Sequence, residues 1–541
     1  MSRFGSVFTH HGVGSASRTP VLWEVAFSVL VAMTTTLSVA SASPQAAGAA
    51  VASSQVPTPT VQGPILPSSG ISYLGSTTFD PSVVGYEQSE FFLSGTATAY
   101  KSSQPLTKDG KWHLTPQSTA PYTTRVVVYR PVDPTRFDGT VVVEWLNVTG
   151  GIDAPAAWLN AHIQMIRQGM AFIGIDAQKG GIYGQAGSIA SKNGFGGLKS
   201  QARYAPLNHP GDSFSYSIYE QAGQALHADG SQLLGGLVPQ RVIALGESQS
   251  AFRLVTYINA VQPLSPGIYD AYFVYSRGGD AADLSQAPQL TIPTPTPTYI
   301  RTDLHVPIFL FETESDLLGL GYLAAQQPAT PYIREWETAG TAHDDTYGLL
   351  YSRSDTGNGA ADTSAFSSML NPPKNPIPGI VDCAAPINAG SHTYELRAAV
   401  QAVNTWVATG QAPPQSPRLE VNPADPHAFL HDANGNALGG IRSPQVAAPV
   451  AKLSGVGQPG AAPVHTRAGA NTKAVSGQAL CGIFGTTVPF SAAKLAALYP
   501  THADFVKKWD AATAAEVRQG YLLPADAQSL DQEAAQSTVG G

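Results

Sequence analysis

At 541 residues the chain far exceeds the size of a minimal core, and 43% hydrophobic residues predict a globular interior. A net charge of -8 argues against nucleic acid or an anionic membrane surface as the main partner. Only 13% of residues are charged, while Gly (53) and Pro (42) are frequent, which predicts many loops and few long charged helices.

Taken in chain order, Arg3 and Arg18 precede a mostly apolar run from Val21 to Val39, and Ala40-Ser41-Ala42 offers small residues for cleavage. This reads as a signal peptide over 1–42 and an exported protein, secreted or held in the cell envelope. A retained anchoring helix is the alternative, because Glu24 interrupts the run. Residues 43–68 read as a flexible linker, rich in Ala, Ser and Pro from Ala46 to Gln62. No later stretch is apolar enough to span a bilayer, so no stable membrane span is expected after cleavage.

Tyr86–Tyr100 and Tyr122–Val132 are rich in β-branched and aromatic residues and predict the first strands of a sheet. Gly139–Leu146 is a nearly continuous apolar run, as in a strand buried on both faces, and it ends in the loop Asn147–Gly151. A helix over Ala156–Gly169, a strand over Met170–Asp176 and a helix over Phe214–Ala228 follow. Arg241–Leu245 is the next strand, and Ala251–Ile258 carries apolar residues at helical spacing. Tyr269–Tyr275, Val306–Phe311 and Tyr332–Glu337 predict three more strands, and Tyr394–Gly410 a closing helix. This alternation predicts an α/β fold, a mostly parallel central sheet with helices on both faces.

Between strand and helix stands Gly246-Glu247-Ser248-Gln249-Ser250. Strand, sharp turn with a central serine, then helix is the layout of a nucleophile elbow. The fifth position is Ser250 rather than glycine, still small enough for strand and helix to pass closely. An ordinary β-to-α turn with a capping serine is the alternative. In a parallel sheet the active groups sit on loops at the carboxyl ends of the strands. Those loops hold Asn147–Gly151, then Ser248, then Glu312, Glu314 and Asp316, then His343 with Asp344 and Asp345. Serine, acid, histidine is the chain order of α/β hydrolases.

Val141–Gly151, His209–Ser213, Gly246–Ser250, Trp336–His343, Pro386–Asn388 and Phe484–Phe490 carry a resemblance to the α/β-hydrolase superfamily. More narrowly, the chain resembles a bacterial family known as alpha/beta hydrolase domain proteins. The resemblance spans roughly residues 70 to 530. It implies one α/β-hydrolase domain over 69–541, with a C-terminal extension from about 416 packed on it, and hydrolysis of an ester.

A serine needs a base within hydrogen-bond reach, and His343 is the first candidate. An acid must orient that imidazole; Asp316 is preferred and Glu314 is the alternative, while Glu312 is close enough to the strand to point into the sheet. The oxyanion hole draws one N–H from Gln249 and the other from Val148 or Asn147. Glu247 reads as a structural partner rather than part of the chemistry. His392 is a rival base, set just before the closing helix. Asp212 or Ser213, beside His209, reads as a helix cap, and the sequon Asn147-Val148-Thr149 is a poor place for a glycan.

His427 and His431 have H-x-x-x-H spacing but lack the glutamate of a zinc motif and sit among prolines, so they read as surface histidines. No metal and no cofactor are expected. Cys383 and Cys481 are expected to form a disulfide, closing a loop that implies about 4–5 kcal/mol in the chain-entropy model. The function expected is a secreted serine esterase acting on a small-molecule ester. A non-catalytic or lyase-like protein of the same fold, or a peptidase, is the alternative.

Overall fold

Apolar runs buried on both faces form the centre of a nine-stranded sheet in the computed structural model, which describes residues 56–65, 76–378, 380–460 and 480–541. The strands are β1 (Thr60–Gln62), β2 (Tyr86–Ser102), β3 (Leu114–Pro131), β4 (Thr140–Trp145), β5 (Ala171–Ile175), β6 (Arg241–Glu247), β7 (Ala271–Tyr275), β8 (Ile308–Thr313) and β9 (Ile333–Thr338). Their spatial order is β1-β2-β3-β5-β4-β6-β7-β8-β9. The pairings from β1 through β2 and β3 to β5 are antiparallel, and those from β5 onward are parallel. Every residue of β4, β5, β7 and β8 is buried, which is why their sequences are largely apolar runs, broken only by Thr140, Glu144, Glu312 and Thr313, rather than alternating ones.

Helices cover both faces. α1 (Ala156–Gln168) and α5 (Thr393–Thr409) pack on Val142, Phe172, Phe309 and Trp336. α2 (Ser215–Leu233) and α3 (Gln249–Thr256) pack on Val141, Val143, Ile173 and Leu310, so alternate strand residues feed opposite layers. α1 starts after Pro155 without a cap of its own. Glu144 of β4 supplies it, its carboxylate accepting from Ala157 N at 2.8 Å and Trp158 N at 3.2 Å, and burial pushes that carboxyl up to about 8. This contact fixes where the chain leaves β4, and hence the loop at Asn147.

The short helix α4 (Glu314–Leu318) lies between β8 and β9, and α6 (His502–Gln519) and α7 (Pro524–Gln536) end the chain. The C-terminal helices are tied to the core. Asp526 pairs with Arg397 of α5 at 3.1 Å and with Arg167 of α1 at 3.1 Å, and Tyr521 meets the Trp336 ring edge-on at 4.9 Å. β12 (Ala451–Ser454) and β13 (Thr486–Pro489) form a separate antiparallel pair; β10 (Val421–Asn422) and β11 (Asp425–Phe429) form another.

Several boundaries depart from expectation. Thr60–Gln62, within the expected linker over 43–68, is an edge strand; its period-2 pattern, with only Val61 inward, is too short to stand out in an Ala/Pro-rich stretch. The β2–β3 hairpin runs on to Ser102 and back to Leu114, its arms paired with each other while Ala97, Ala99, Tyr100 and Leu114 turn inward to the core. α3 begins directly after Ser248 and continues as a π-helical turn over Tyr257–Val261. β8 starts at Ile308, after Pro307, which has no N–H to give a ladder, and reaches Thr313. The expected signal peptide over 1–42 lies outside the described residues. Among the described residues no helix is long and apolar enough to cross a membrane.

Candidate active site

β6 ends at Glu247, and the chain turns at Ser248 with φ 53 and ψ -122. Among the described residues only Ser248 and Ser276 are non-glycine residues with positive φ. Such a conformation costs on the order of 1–3 kcal/mol and persists only where neighbours enforce it. Here Ser248 N donates to Tyr275 O of β7 at 2.9 Å, and α3 begins at the next residue. Strand and helix cross so closely that a Cβ on Gly246 would lie 2.6 Å from Ser250 O. Glycine is therefore required at 246, and the small Ser250 completes the crossing.

The turn leaves Ser248 half-buried, with its Oγ 2.7 Å from His343 Nε2. The other ring nitrogen, Nδ1, lies 2.6 Å from Asp316 Oδ1. Asp316 does not sit on a loop, as expected, but in the first turn of α4. Its second oxygen, Oδ2, accepts from Thr313 N and Thr313 Oγ1, each at 2.7 Å, a capping box that locks the carboxylate. The pattern Thr313-x-x-Asp316 is the sequence signal that would have found this helix start. Burial opposes a charged imidazole, but Asp316 and Glu247 outweigh it and push His343 up to about 9.

Glu314, the alternative acid, is elsewhere. Its carboxylate accepts from Gly340 N at 2.6 Å and Gly455 N at 2.8 Å, and burial pushes it up to about 7. It joins the histidine loop to the C-terminal segment. Glu312 is buried in β8, where burial raises its carboxyl well above the ordinary range. Between the two acids, Ser315 Oγ accepts from His343 N at 3.1 Å and donates to Gly455 O at 2.6 Å. Nothing in the local pattern marked Ser315, because its partners lie far along the chain.

Gln249 is the first residue of α3, so its N–H has no intrahelical acceptor and stands beside Ser248. Val148 is buried in the facing loop, and among the described residues nothing accepts its N–H. Asn147, the other expected donor, is committed: its N–H goes to Ala154 O at 3.0 Å and its Nδ2 to Glu247 Oε2 at 2.8 Å. The loop closes as a β-bridge between Asn147 and Ala154, which uses up that N–H. The buried Asn147 side chain also leaves no place for a glycan.

His392, the rival base, does not face Ser248. Its Nε2 meets Tyr275 Oη, and its Nδ1 is 3.1 Å from Asp345 Oδ2, all of it buried. His209 Nε2 bonds Ala177 O at 2.9 Å. Asp212 and Ser213 do not cap α2, whose N-cap is Phe214; they lie in the 3-10 turn Asp212–Phe214 before it, and Asp212 accepts from Lys179 N at 2.8 Å and pairs with Arg253. His427 lies in the exposed strand β11, and His431 is exposed beyond it. Among the described residues no group of three or more His, Cys, Asp or Glu side chains could hold a metal. Cys383 and Cys481 are bonded, as expected.

A family model described as "Alpha/beta hydrolase domain" matches residues 61–532. No curated protein matches the chain. Among solved structures, the chain is similar to a thermostable esterase from Pseudomonas putida at 14% identity and a TM-score of 0.27, over 52% of this chain and 80% of that one. A glucuronoyl esterase from Solibacter usitatus is similar at 8% identity and a TM-score of 0.24, over 47% and 76%. The carboxylesterase Cest-2923 from Lactobacillus plantarum is similar at 11% identity and a TM-score of 0.22, over 41% and 72%.

Proposed function

The chain belongs to the alpha/beta hydrolase domain family, and from that premise we propose that it is a serine esterase acting on small carboxylic esters through an acyl-enzyme on Ser248. The observation that carries the reading is the continuous relay of Ser248 Oγ, His343 and Asp316, at 2.7 and 2.6 Å. As Oγ bonds to the ester carbonyl carbon, its proton passes to His343 Nε2 and the carbonyl electron pair moves onto oxygen. Asp316 holds the imidazole in the tautomer that leaves Nε2 free to accept, and stabilises the imidazolium. The N–H groups of Gln249 and Val148 receive the oxyanion, each donor being worth about 3–4 kcal/mol in comparable sites. The imidazolium then protonates the departing alkoxide. A water activated by the same histidine releases the acid and restores Ser248.

The Cys383–Cys481 bond supports an exported protein, since cytosolic thiols are kept reduced. The test is direct. Purified protein should hydrolyse short p-nitrophenyl esters, and a fluorophosphonate should label Ser248 alone. Labelling at another residue, or no labelling of an active preparation, refutes the proposal.

A further inference from the structure

We propose that Glu247 is a second carboxylate of this centre, a positioning residue that pairs with the His343 imidazolium on the serine side and ties it to the loop carrying Val148. The inference rests on the hydrolase reading. Glu247 ends β6 with its side chain buried. Its Oε1 lies 3.3 Å from His343 Nε2, the nitrogen that also faces Ser248 Oγ. Its Oε2 accepts from Asn147 Nδ2 at 2.8 Å, and Asn147 Oδ1 in turn accepts from Thr149 N at 2.8 Å. One carboxylate therefore touches the base and the loop of the second oxyanion donor together.

His343 has a carboxylate on each ring nitrogen, Asp316 at Nδ1 and Glu247 at Nε2. When Nε2 is unprotonated, its lone pair faces the Glu247 oxygen and repels it. When Nε2 has taken the serine proton, the same contact is attractive. Glu247 thus favours the intermediate over the resting base, which is the direction catalysis needs. The cost falls on the free enzyme, whose histidine must lose a proton before it can act. The other ionisable groups around the pair are Asp316, Asp344, Asp345, His392, Tyr275 and Glu144. Burial opposes the imidazolium, but Asp316, then Glu247 and Asp344, outweigh it and push His343 up to about 9. The base is protonated below that value, so reactivity rises as pH climbs through it. Removing the Glu247 charge should move this limb to lower pH.

The experiment compares the full-length protein with Glu247→Gln. It measures the second-order rate of fluorophosphonate labelling and the kcat and KM for p-nitrophenyl acetate, across pH 6 to 10.5. The acidic limb of the variant should fall by about one pH unit, the shift expected on losing a neighbouring opposite charge. Its plateau kcat should fall by roughly tenfold, as for a lost charge-assisted contact, with KM unchanged. A loss of rate that is even at all pH values, with the limb unmoved, would mark Glu247 as merely structural and overturn the proposal. If Glu247→Gln does not fold, Glu247→Asp decides in its place: it keeps the charge but withdraws it from Nε2, so the limb should still fall, and an unmoved limb overturns the proposal. Loss of Ser248 labelling in the wild type would instead refute the hydrolase reading itself.

Discussion

The two halves of the site are built in different ways. The serine half is local: Gly246, Ser248 and Ser250 are held by one strand, the helix that follows and the neighbouring strand end at Tyr275. The histidine half is assembled from distant chain. Asp316 and His343 sit on short segments after β8 and β9, braced by residues far ahead in sequence. Gly455 takes both the Ser315 hydroxyl and the Glu314 carboxylate, and Asn388 Nδ2 donates to Gly340 O at 2.9 Å and Ser454 O at 3.0 Å. Behind that layer lies the Cys383–Cys481 bond. A strained serine needs only a tight turn between rigid elements, whereas an imidazole aimed at it needs a wall.

The largest effect should come from the local half. Ser248→Ala should lower kcat for p-nitrophenyl acetate by on the order of 10⁶ while leaving the thermal midpoint near wild type. A variant that keeps a tenth of the activity would remove Ser248 from the chemistry. In the histidine half, Asp316→Asn should cost about 10⁴ in kcat, through loss of the correct tautomer. Glu314→Gln should cost less than about tenfold in kcat, yet lower stability by about 1–3 kcal/mol, because Gly340 and Gly455 lose a charged acceptor. Denaturant melts and kinetics on the same samples test the contrast. A dead Glu314→Gln that melts like wild type would exchange the two roles.

The contrast also explains what could be read in the chain. The elbow was legible because strand, turn and helix are consecutive, and the order serine, acid, histidine follows from strand ends. Choosing Asp316 over Glu314 was not secure from sequence, because two residues of offset decide which carboxylate faces the ring, and a short helix sets that offset. The capping box at Thr313 carried the missing information. The contact of Glu247 with His343, the brace at Ser315 and the Asp345–His392–Tyr275 chain join residues with no local pattern between them. Asn147 misled for a similar reason, since only the bridge to Ala154 reveals that its N–H is taken.

A smaller effect should mark the hydroxyl that ties the His343 backbone to the C-terminal segment. Ser315→Ala removes the hydroxyl that accepts from His343 N and donates to Gly455 O. The imidazole would keep Asp316 but lose its backbone anchor. A fall of roughly tenfold in kcat with little change in KM is expected, as for a modest misplacement of a catalytic group. Ser315→Thr, which restores a hydroxyl, should recover part of it. Equal rates in all three proteins would show that the anchor plays no part in aiming the ring.

The smallest effect on rate, and the sharpest test of the two-halves picture, should come from Cys383→Ser combined with Cys481→Ser. The bond closes a separation of 98 residues, so its loss should lower stability by about 2–5 kcal/mol. The bonded cysteines pack among Val381, Ile387 and Phe484, and the rate at 25 °C should stay within about twofold, since surviving hydrogen bonds still hold the wall. Those bonds run from the bonded segment to Gln458 and to Ser315, the neighbour of Asp316. Gln458 N donates to Cys481 O at 2.9 Å, and Ser315 Oγ lies 3.2 Å from Ile483 O. Loosening around 481 should therefore reach Ser315 and then His343, without reaching the elbow. Hydrogen exchange should show lost protection over 339–345 and 480–489 and none lost over 241–256. On warming, ester hydrolysis should fail at a lower temperature than the cooperative melt of the sheet. If protection fell equally at the elbow, the two halves would open as one unit, and the bond would act on the whole fold rather than on the histidine wall.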